Sequence, residues 1–167
     1  MKIFHDLRLA FVWMKFTGVY IGNSGSAKNI NYLKRVGITH VLNTAKGFED
    51  YAGVNTNSAF YEPYNIKYLG LDLCDYPQAN IAQYFDSSSH FIENALKDGA
   101  GKVLVHCFMG MSRSSTITAA FLMIKRDMSA RDALILLRKS RHIFPNSGFL
   151  EALADLDYEL ARERENP

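Results

Sequence analysis

Short apolar runs alternate along this chain with segments in which apolar residues recur every three or four positions. The runs have the length and the β-branched content of buried strands, and they are predicted at 19–21, 38–42, 66–71 and 103–105. The periodic segments have the spacing of amphipathic helices, which are predicted after 26, over 81–96, from 113, from 129 to near 141, and from 149. Strands that alternate with helices predict an α/β fold, a single domain with a central, mostly parallel sheet flanked by helices.

Cap and turn residues set several of these boundaries. Ser26 is a good N-cap for the first helix, and Gly37 is a good stop for it. Ser129 and Asp132 have the spacing of a capping box. Residues 46–58 are rich in Gly, Asn and Ser, and they predict a loop.

Residues 1–17 allow two interpretations. Apolar residues at helical spacing indicate a helix: Phe4, Leu7, Phe11 and Met14. Val12 and Trp13 would equally suit cover for an edge of the sheet. The apolar stretch 9–14 is short and has charged neighbours, so we interpret it as a packing element rather than a signal peptide. We therefore expect an N-terminal segment, 1–17, that packs on or near the core, and a main domain, 18–167.

Composition excludes several classes of protein. The chain has 167 residues, of which 48% are hydrophobic, and this suits one compact domain. Its net charge of +2 gives no argument for nucleic acid or a membrane surface, and no apolar run is long enough to span a bilayer. The two cysteines make no disulfide framework, and free thiols favour a reducing compartment, the cytoplasm or the nucleus. No residue spacing is typical of a metal site, so no metal or other cofactor is expected.

The segment 103–114 carries the clearest chemistry. Its first residues form the last predicted strand, a loop containing Gly110 follows, and the apolar-periodic helix begins at Arg113. Cys107 therefore lies where a strand ends and faces a helix N-terminus. The partial positive charge and the unpaired N–H groups of that terminus favour both a thiolate and a bound phosphate.

Five residues separate Cys107 from Arg113. A loop of this length can close into a ring that aims its amides at one point, with the sulfur below that point and the guanidinium beside it. The sulfur could then attack a bound phosphorus atom in line. The residues expected to contact the phosphate are Phe108, Met109, Gly110, Met111, Ser112 and Arg113.

Other segments extend this pattern along the chain. They are Tyr20–Asn23, Gly37–Asn43, Tyr68–Gly70, Val103–Ser114 and Pro145–Phe149. Together they make residues 18–160 resemble the small atypical dual-specificity protein phosphatases of the vaccinia type, a group of the cysteine-dependent phosphatases. The resemblance implies the fold of that superfamily. It also implies hydrolysis of phosphotyrosine and of phosphoserine or phosphothreonine on proteins, through a cysteinyl-phosphate intermediate.

The resemblance implies roles for four residues. Cys107 would be the nucleophile, Arg113 the phosphate ligand, Asp75 the general acid and base, and Ser114 the group that assists departure of the thiolate. Asp72 competes with Asp75, but on an extended segment the two side chains face opposite ways, so we expect only one to reach the substrate. Asp75 as a turn residue, and Ser114 as an ordinary residue of a helix N-terminus, are the alternatives.

Four more positions have open interpretations. His106 is expected to support the loop through backbone contacts, and Asn43 either braces that loop or is a turn residue. Cys74 is expected to be a small, buried apolar side chain, and the alternative is a reversible disulfide with oxidised Cys107. Arg141 either interacts with the dipole of its helix or, as the resemblance implies, holds a second phosphate.

The rim of the loop bears on the class of substrate. Phe108, Met109 and Met111 are apolar, whereas phosphoinositide phosphatases with this chemistry usually carry Lys in the loop. We therefore expect phosphorylated proteins, kinases among them, bound in a shallow site. The rival hypotheses are a phosphoprotein-binding module without turnover and a phosphatase for RNA 5′ ends or lipids. The apolar segment around Trp13 could support a homodimer or simply complete the core.

Overall fold

A five-stranded sheet forms the centre of the molecule, in the spatial order β1-β2-β5-β3-β4. The computed structural model describes residues 12–13, 18–47, 52–97 and 99–165. The strands are β1 (Val12–Trp13), β2 (Val19–Gly22), β3 (His40–Asn43), β4 (Lys67–Gly70) and β5 (Val103–His106). The strands from β2 to β4 are parallel, and β1 pairs antiparallel with β2 at one edge. The predicted α/β fold with a mostly parallel sheet is confirmed.

Seven α-helices cover the sheet in the part of the chain that the structure describes. They are α1 (Ser24–Lys28), α2 (Ile30–Val36), α3 (Ser58–Tyr61), α4 (Phe85–Leu96), α5 (Arg113–Arg126), α6 (Ala130–Ser140) and α7 (Ser147–Glu165). Short 3-10 turns, Glu62–Tyr64 and Ala82–Tyr84, follow α3 and precede α4. Among these helices, none combines the length and the apolar character that crossing a bilayer requires.

Alternate residues of the strands face two hydrophobic layers. On β2, Val19 and Ile21 belong to one layer and Tyr20 to the other, as the period of two along a strand requires. Residues of α4, α5, α6 and α7 complete the first layer, and residues of α1, α2 and α3 complete the second. Helix α5 is buried continuously from Arg113 to Met123. The core therefore fixes both the strand before the Cys107 loop and the helix after it.

The four parallel strands end at the same level. Gly22 pairs with His106, His106 with Asn43, and Asn43 with Gly70, so the last residues of β2, β5, β3 and β4 form one row across the sheet. The loops that leave these strands therefore meet at the carboxyl edge, where open α/β sheets bind their ligands.

The first predicted helix is two short helices, and its predicted cap is wrong. Asn23, and not Ser26, caps α1, because its side chain accepts the N–H of Ser26 at 2.9 Å. Asn29 then caps α2 by accepting the N–H of Tyr32 at 3.0 Å, so the chain restarts a helix at a position that the apolar spacing does not mark.

Helix α3 was not predicted, because four residues are too few for a periodic pattern. Asn57 caps it by accepting the N–H of Phe60 at 3.1 Å, and the ring of Tyr61 stacks on Tyr68 with 5.5 Å between centroids. The predicted N-cap is present at α6, where Ser129 Oγ accepts the N–H of Asp132 at 3.1 Å. The Asp132 side chain accepts the hydroxyl of Ser129, at 2.9 Å, rather than completing the capping box with the backbone N–H of Ser129. Strands β3 and β4 have slightly different ends from the predicted ones, as is usual for strand boundaries.

Of the N-terminal segment, 1–17, only Val12 and Trp13 are among the described residues. They form the edge strand β1, which agrees with the interpretation of these two residues as cover for an edge of the sheet. The predicted helix otherwise lies outside the described residues.

Candidate active site

Cys107 lies between the end of β5 and the start of α5, and it is almost completely buried. Its Sγ accepts the N–H of Gly110 at 3.1 Å and lies 3.4 Å from Ser114 Oγ. An N–H donor, a hydroxyl and the N-terminus of α5 therefore surround the sulfur, and all three stabilise negative charge on it.

The carbonyl groups of the Cys107 loop are held from outside. The carbonyl of Phe108 accepts the N–H of Ser24 at 3.0 Å, and that of Met111 accepts the N–H of Phe144 at 2.8 Å. The carbonyl of Ser112 accepts the hydroxyl of Thr116 at 2.9 Å. In a trans peptide the next N–H points away from the carbonyl. The N–H groups that follow these three carbonyls therefore point toward the interior of the loop, where they can bind an anion.

Gly110 makes this closed loop possible. Its φ of +72° lies in the left-handed region, and a Cβ at this position would overlap the carbonyl oxygen of Gly22, at the end of β2. The same Cβ would lie 2.9 Å from Nη2 of Arg141. Only glycine therefore permits the loop to pack against the end of the neighbouring strand.

Arg113 joins three loops at the site and is 3% exposed. Its Nη1 donates to the carbonyl of Leu73 at 3.1 Å, and its Nη2 donates to the carbonyl of Ala52 at 3.0 Å. Its Nε is buried without a hydrogen bond in the described structure and lies 3.4 Å from Asp75 Oδ2. The two Nη atoms thus anchor the guanidinium, and Nε is the donor that an incoming phosphate oxygen can use.

Of the two candidate carboxylates, Asp75 is the one that lies at the loop. Its Oδ1 accepts Ser112 Oγ at 2.7 Å and Asn146 Nδ2 at 2.9 Å. Asp72 instead pairs with Lys46 at 3.2 Å and is exposed. The structure therefore brings Asp75 together with Arg113. The carboxylate of Asp72 is paired with Lys46 instead, in a cavity that Arg113 also lines.

His106 is fully buried at the end of β5. Its Nδ1 lies 3.3 Å from the carbonyl oxygen of Cys107. Burial lowers the pKa of His106 to about 4, and the hydrogen bond to Cys107 only partly opposes this effect. The charge of Arg113 lowers the pKa further, so His106 is neutral at physiological pH and contacts the loop backbone.

Asn43 holds the loop that follows β3. Its Nδ2 donates to the carbonyl of Val54 at 2.8 Å, and its Oδ1 accepts the N–H of Ala45 at 2.9 Å. The next residue, Thr44, reaches the Cys107 loop, because both its N–H and its hydroxyl donate to the carbonyl of His106, at 2.8 and 2.9 Å. Sequence reasoning missed Thr44, and a Thr after a strand end gives no signal of this role.

Arg141 follows the last residue of α6, and its guanidinium reaches the end of β2. Its Nη1 donates to the carbonyl of Ile21 at 2.7 Å, and burial lowers its pKa below the usual value. The negative charge of Cys107 opposes that shift. The cation therefore lies beside the Cys107 loop, on the side of Gly110.

Cys74 is exposed, so the prediction of a buried thiol is wrong. It lies in residues 71–81, the segment after β4 that carries Asp75 and is called the acid loop below. Its neighbour Leu73 is buried in the core, and alternate residues of an extended segment face opposite ways, so the thiol points outward. Cys74 and Arg113 line one cavity of about 250 Å³, and both cysteines are free thiols.

The rim of the site is apolar and exposed. Met109 is 62% exposed and belongs to the predicted rim, and Phe108 and Met111 are partly buried. Tyr76 and Phe144, which were not predicted to be site residues, are 59% and 64% exposed. Among the described residues, no group of His, Cys, Asp and Glu side chains could hold a metal ion.

A buried thiol, an anchored arginine and a nearby carboxylate thus lie together at the carboxyl edge of the sheet. Residues 19–159 match the family model of the dual specificity phosphatase catalytic domain. The chain therefore belongs to the dual-specificity phosphatases, and the predicted resemblance is confirmed.

Solved structures give the same result. The human tyrosine phosphatase-like serine/threonine/tyrosine-interacting protein is 31% identical, with 92% of this chain and 97% of that chain covered and a TM-score of 0.76. DUSP15 is 29% identical, with coverage of 92% and 94% and a TM-score of 0.75. A mouse putative dual specificity phosphatase complexed with zinc tungstate is 26% identical, with coverage of 92% and 90% and a TM-score of 0.78.

Proposed function

We propose that this phosphatase hydrolyses phosphotyrosine and phosphoserine or phosphothreonine on proteins through a cysteinyl-phosphate intermediate. One observation carries the proposal: Cys107 Sγ lies 3.4 Å from Ser114 Oγ at the start of α5, where Arg113 also lies beside Asp75. The mouse relative was crystallised with tungstate, a tetrahedral oxyanion like phosphate, which supports an oxyanion site in this family.

In the first step the thiolate of Cys107 attacks phosphorus, and the bond from phosphorus to the substrate oxygen breaks. The loop N–H groups and Arg113 Nε bind the equatorial oxygens, whose charge is greatest in the transition state. Asp75 donates a proton to the leaving oxygen, which departs as an alcohol or a phenol. The charge on phosphate is met by Arg113 and by fixed backbone dipoles.

In the second step water attacks the cysteinyl phosphate, and Asp75, now ionised, takes a proton from that water. The bond from sulfur to phosphorus breaks, and Ser114 stabilises the thiolate that leaves by a hydrogen bond to Sγ. Inorganic phosphate departs and Asp75 is protonated again. His106 contacts the carbonyl oxygen of Cys107 through Nδ1 and remains neutral through both steps.

The exposed rim supports phosphoproteins as substrates. Met109, Tyr76 and Phe144 offer apolar contacts to the residues beside the phosphorylated side chain, and the aromatic ring of phosphotyrosine can pack on them. We also propose that kinases are among the substrates and that the protein forms a homodimer. Arg141 is proposed to bind a second phosphate. The two free thiols support the cytoplasm or the nucleus as its location.

A phosphoprotein-binding module without turnover is the second candidate, because one similar structure is named a phosphatase-like interacting protein. Two contacts favour hydrolysis, that of Cys107 with Ser114 and that of Arg113 with Asp75, since a binding module needs neither a nucleophile nor an acid.

The test compares initial rates on a phosphotyrosine peptide, a phosphothreonine peptide and an inositol phosphate, with a rapid denaturing quench to trap the intermediate. We expect turnover of both peptides, little turnover of the inositol phosphate, and covalent phosphate on the peptide that contains Cys107. Tight binding of the phosphopeptides without release of phosphate would favour the binding module. Preferred turnover of the inositol phosphate would contradict the proposed substrate class.

A further inference from the structure

We propose that Asn146 is a positioning residue for the general acid and that, together with Ser112, it assigns the transferable proton of Asp75 to Oδ2. The inference rests on the proposed function, because it concerns how the acid of that reaction is held. It also assigns a role to the segment Pro145–Phe149, which has none in the proposed mechanism.

The orientation of the Asn146 amide is fixed by its own helix. Its Oδ1 accepts the N–H of Phe149 at 3.0 Å, in the first turn of α7. A backbone N–H can only donate, so the oxygen of the amide must face the helix and the NH2 group must face away from it. That NH2 group lies 2.9 Å from Asp75 Oδ1. Asn146 can therefore only donate to Asp75.

Two donors thus converge on the same carboxylate oxygen. Ser112 Oγ lies 2.7 Å from Asp75 Oδ1, and Asn146 Nδ2 lies 2.9 Å from it. A proton on Oδ1 would face the N–H of Asn146, which cannot accept it. Because Oδ1 already has two hydrogen-bond partners, we infer that the protonated acid carries its proton on Oδ2, which lies 3.4 Å from Arg113 Nε, the donor that an incoming phosphate oxygen would use.

This arrangement suits both steps of the reaction. When the bond from phosphorus to the leaving oxygen breaks, that oxygen takes its electron pair and receives the proton from Oδ2. The negative charge that forms on Asp75 is shared with Oδ1, where Ser112 and Asn146 already donate. In the second step Oδ2 takes a proton back from the attacking water, so the acid is restored and no further reagent is needed.

The start of α7 is packed firmly on the acid loop. A Cβ on Gly148 would overlap the carbonyl of Pro77, so the two segments approach more closely than a side chain would allow. Asn146 is thus held both by the helix that it caps and by the contact of Gly148 with the loop that carries Asp75. Its position is fixed before substrate binds, as preorganisation of a proton donor requires.

The test uses Asn146→Ser, because Ser retains an oxygen that can cap α7 and loses the amide donor. The measured quantity is the ratio of kcat/KM for phenyl phosphate to kcat/KM for p-nitrophenyl phosphate. Phenolate needs a proton as it leaves, whereas p-nitrophenolate is a good leaving group without one, so the ratio reports proton donation. We expect the ratio to fall about tenfold in Asn146→Ser. In Asp75→Asn we expect a fall of roughly 100-fold.

The double variant Asp75→Asn with Asn146→Ser should have the ratio of Asp75→Asn alone, because Asn146 acts through the carboxylate. Asn57→Ser is the matched control, since Asn57 caps α3 in the same way. Its ratio should equal that of the wild type. Ser112→Ala removes the other donor to Oδ1 and provides an independent variant, for which we also expect a lower ratio.

An unchanged ratio in Asn146→Ser and Ser112→Ala, beside a lowered ratio in Asp75→Asn, would overturn the positioning role and leave the proposed function intact. Additive falls in the double variant would also overturn it, because they would mean that Asn146 acts independently of Asp75. If the wild type hydrolysed neither phosphate, the proposed function itself would fail.

Discussion

The loops that carry Cys107 and Asp75 are built in different ways. The Cys107 loop connects the central strand β5 to the buried helix α5, and hydrogen bonds from its surroundings hold its carbonyl groups. The acid loop follows the edge strand β4, and much of it is exposed to solvent. The carboxylate of Asp75 is held by side chains from two other parts of the chain, Ser112 and Asn146.

The two chemical groups therefore depend on different parts of the fold. The proposed nucleophile is positioned by the sheet, by one continuous segment of 12 residues and by backbone hydrogen bonds to the carbonyl groups of that segment. The acid is positioned by tertiary contacts, one of which joins residues 71 positions apart. Changes at the start of α7 should therefore affect proton transfer without moving the thiol, whereas changes in the Cys107 loop should affect every substrate.

Removal of the nucleophile gives the largest expected effect. Cys107→Ser replaces the thiolate by a weakly nucleophilic hydroxyl of similar shape, so we expect hydrolysis of an aryl phosphate to fall to background. Binding of a phosphopeptide and the melting temperature should be retained, since the loop N–H groups and Arg113 remain. Retained turnover in the variant would contradict the covalent mechanism.

Removal of the acid gives a smaller and more selective effect. Asp75→Asn cannot donate the proton, and we expect kcat near neutral pH to fall by roughly 10²–10⁴-fold on a phosphothreonine peptide. The fall on p-nitrophenyl phosphate should be much smaller. Asp72→Asn is the matched control, because the carboxylate of Asp72 pairs with Lys46 and not with Arg113. A larger loss in Asp72→Asn than in Asp75→Asn would reverse the assignment.

A substitution at Gly110 tests whether the closed Cys107 loop must be formed before substrate binds. Gly110→Ala adds a Cβ that overlaps the carbonyl of Gly22 at a φ of +72°, so the loop must open. We expect about a 100-fold loss of kcat/KM on both good and poor leaving groups, because binding and attack both need the closed loop. Gly25→Ala, whose Cβ would make ordinary contact at 3.5 Å with Asn23, is the control. A loss of kcat/KM confined to substrates with poor leaving groups would mean that Gly110 affects proton donation by Asp75 rather than binding and attack.

The smallest expected effect concerns stability at acid pH. His106 has a pKa of about 4 in the folded protein, against 6.5 for an ordinary histidine. The unfolded chain therefore binds more protons between these values. The contribution of His106 to the free energy of unfolding is fully present above pH 6.5, the pKa of histidine in the unfolded chain. It is lost as the pH falls toward about 4, the pKa of His106 in the folded protein. From pH 7 to pH 5 this loss amounts to about 2 kcal/mol.

His106→Gln should remove this component, so its free energy of unfolding should fall less between the two pH values than that of the wild type. Denaturant unfolding at each pH measures the difference. His90→Gln, at an exposed position of α4, is the control and should retain the pH dependence of the wild type. An equal fall in the wild type and in His106→Gln would show that other groups cause it.

The sequence predicts best what neighbouring residues determine. The sheet strands follow from continuous apolar runs that are buried on both faces, and the Cys107 loop follows from a strand, a glycine and a helix in one short segment. The division of α1 from α2 is harder to predict from the sequence, because it depends on the side chain of Asn29 accepting the N–H of Tyr32. Periodic apolar residues continue across that position.

The contacts that the sequence conceals join distant residues. Thr44 binds the carbonyl of His106 across 62 positions, and the polar spacing of the chain gives no sign of this pairing. Cys74 belongs to a residue type that is often buried, but its place on the extended acid loop, next to the buried Leu73, turns it outward. Local preference failed at these positions because tertiary geometry decided them.

The contact of Gly148 with Pro77 bears on the order in which the two halves of the candidate active site form during synthesis of the chain. Synthesis proceeds from the N-terminus, so the central strands and α5 leave the ribosome before α7 does. A nascent chain that ends before Asn146 can contain Cys107 and its loop, but it lacks the last support of Asp75. The loop around Cys107 can thus form before the start of α7 supplies the second donor to the carboxylate of Asp75.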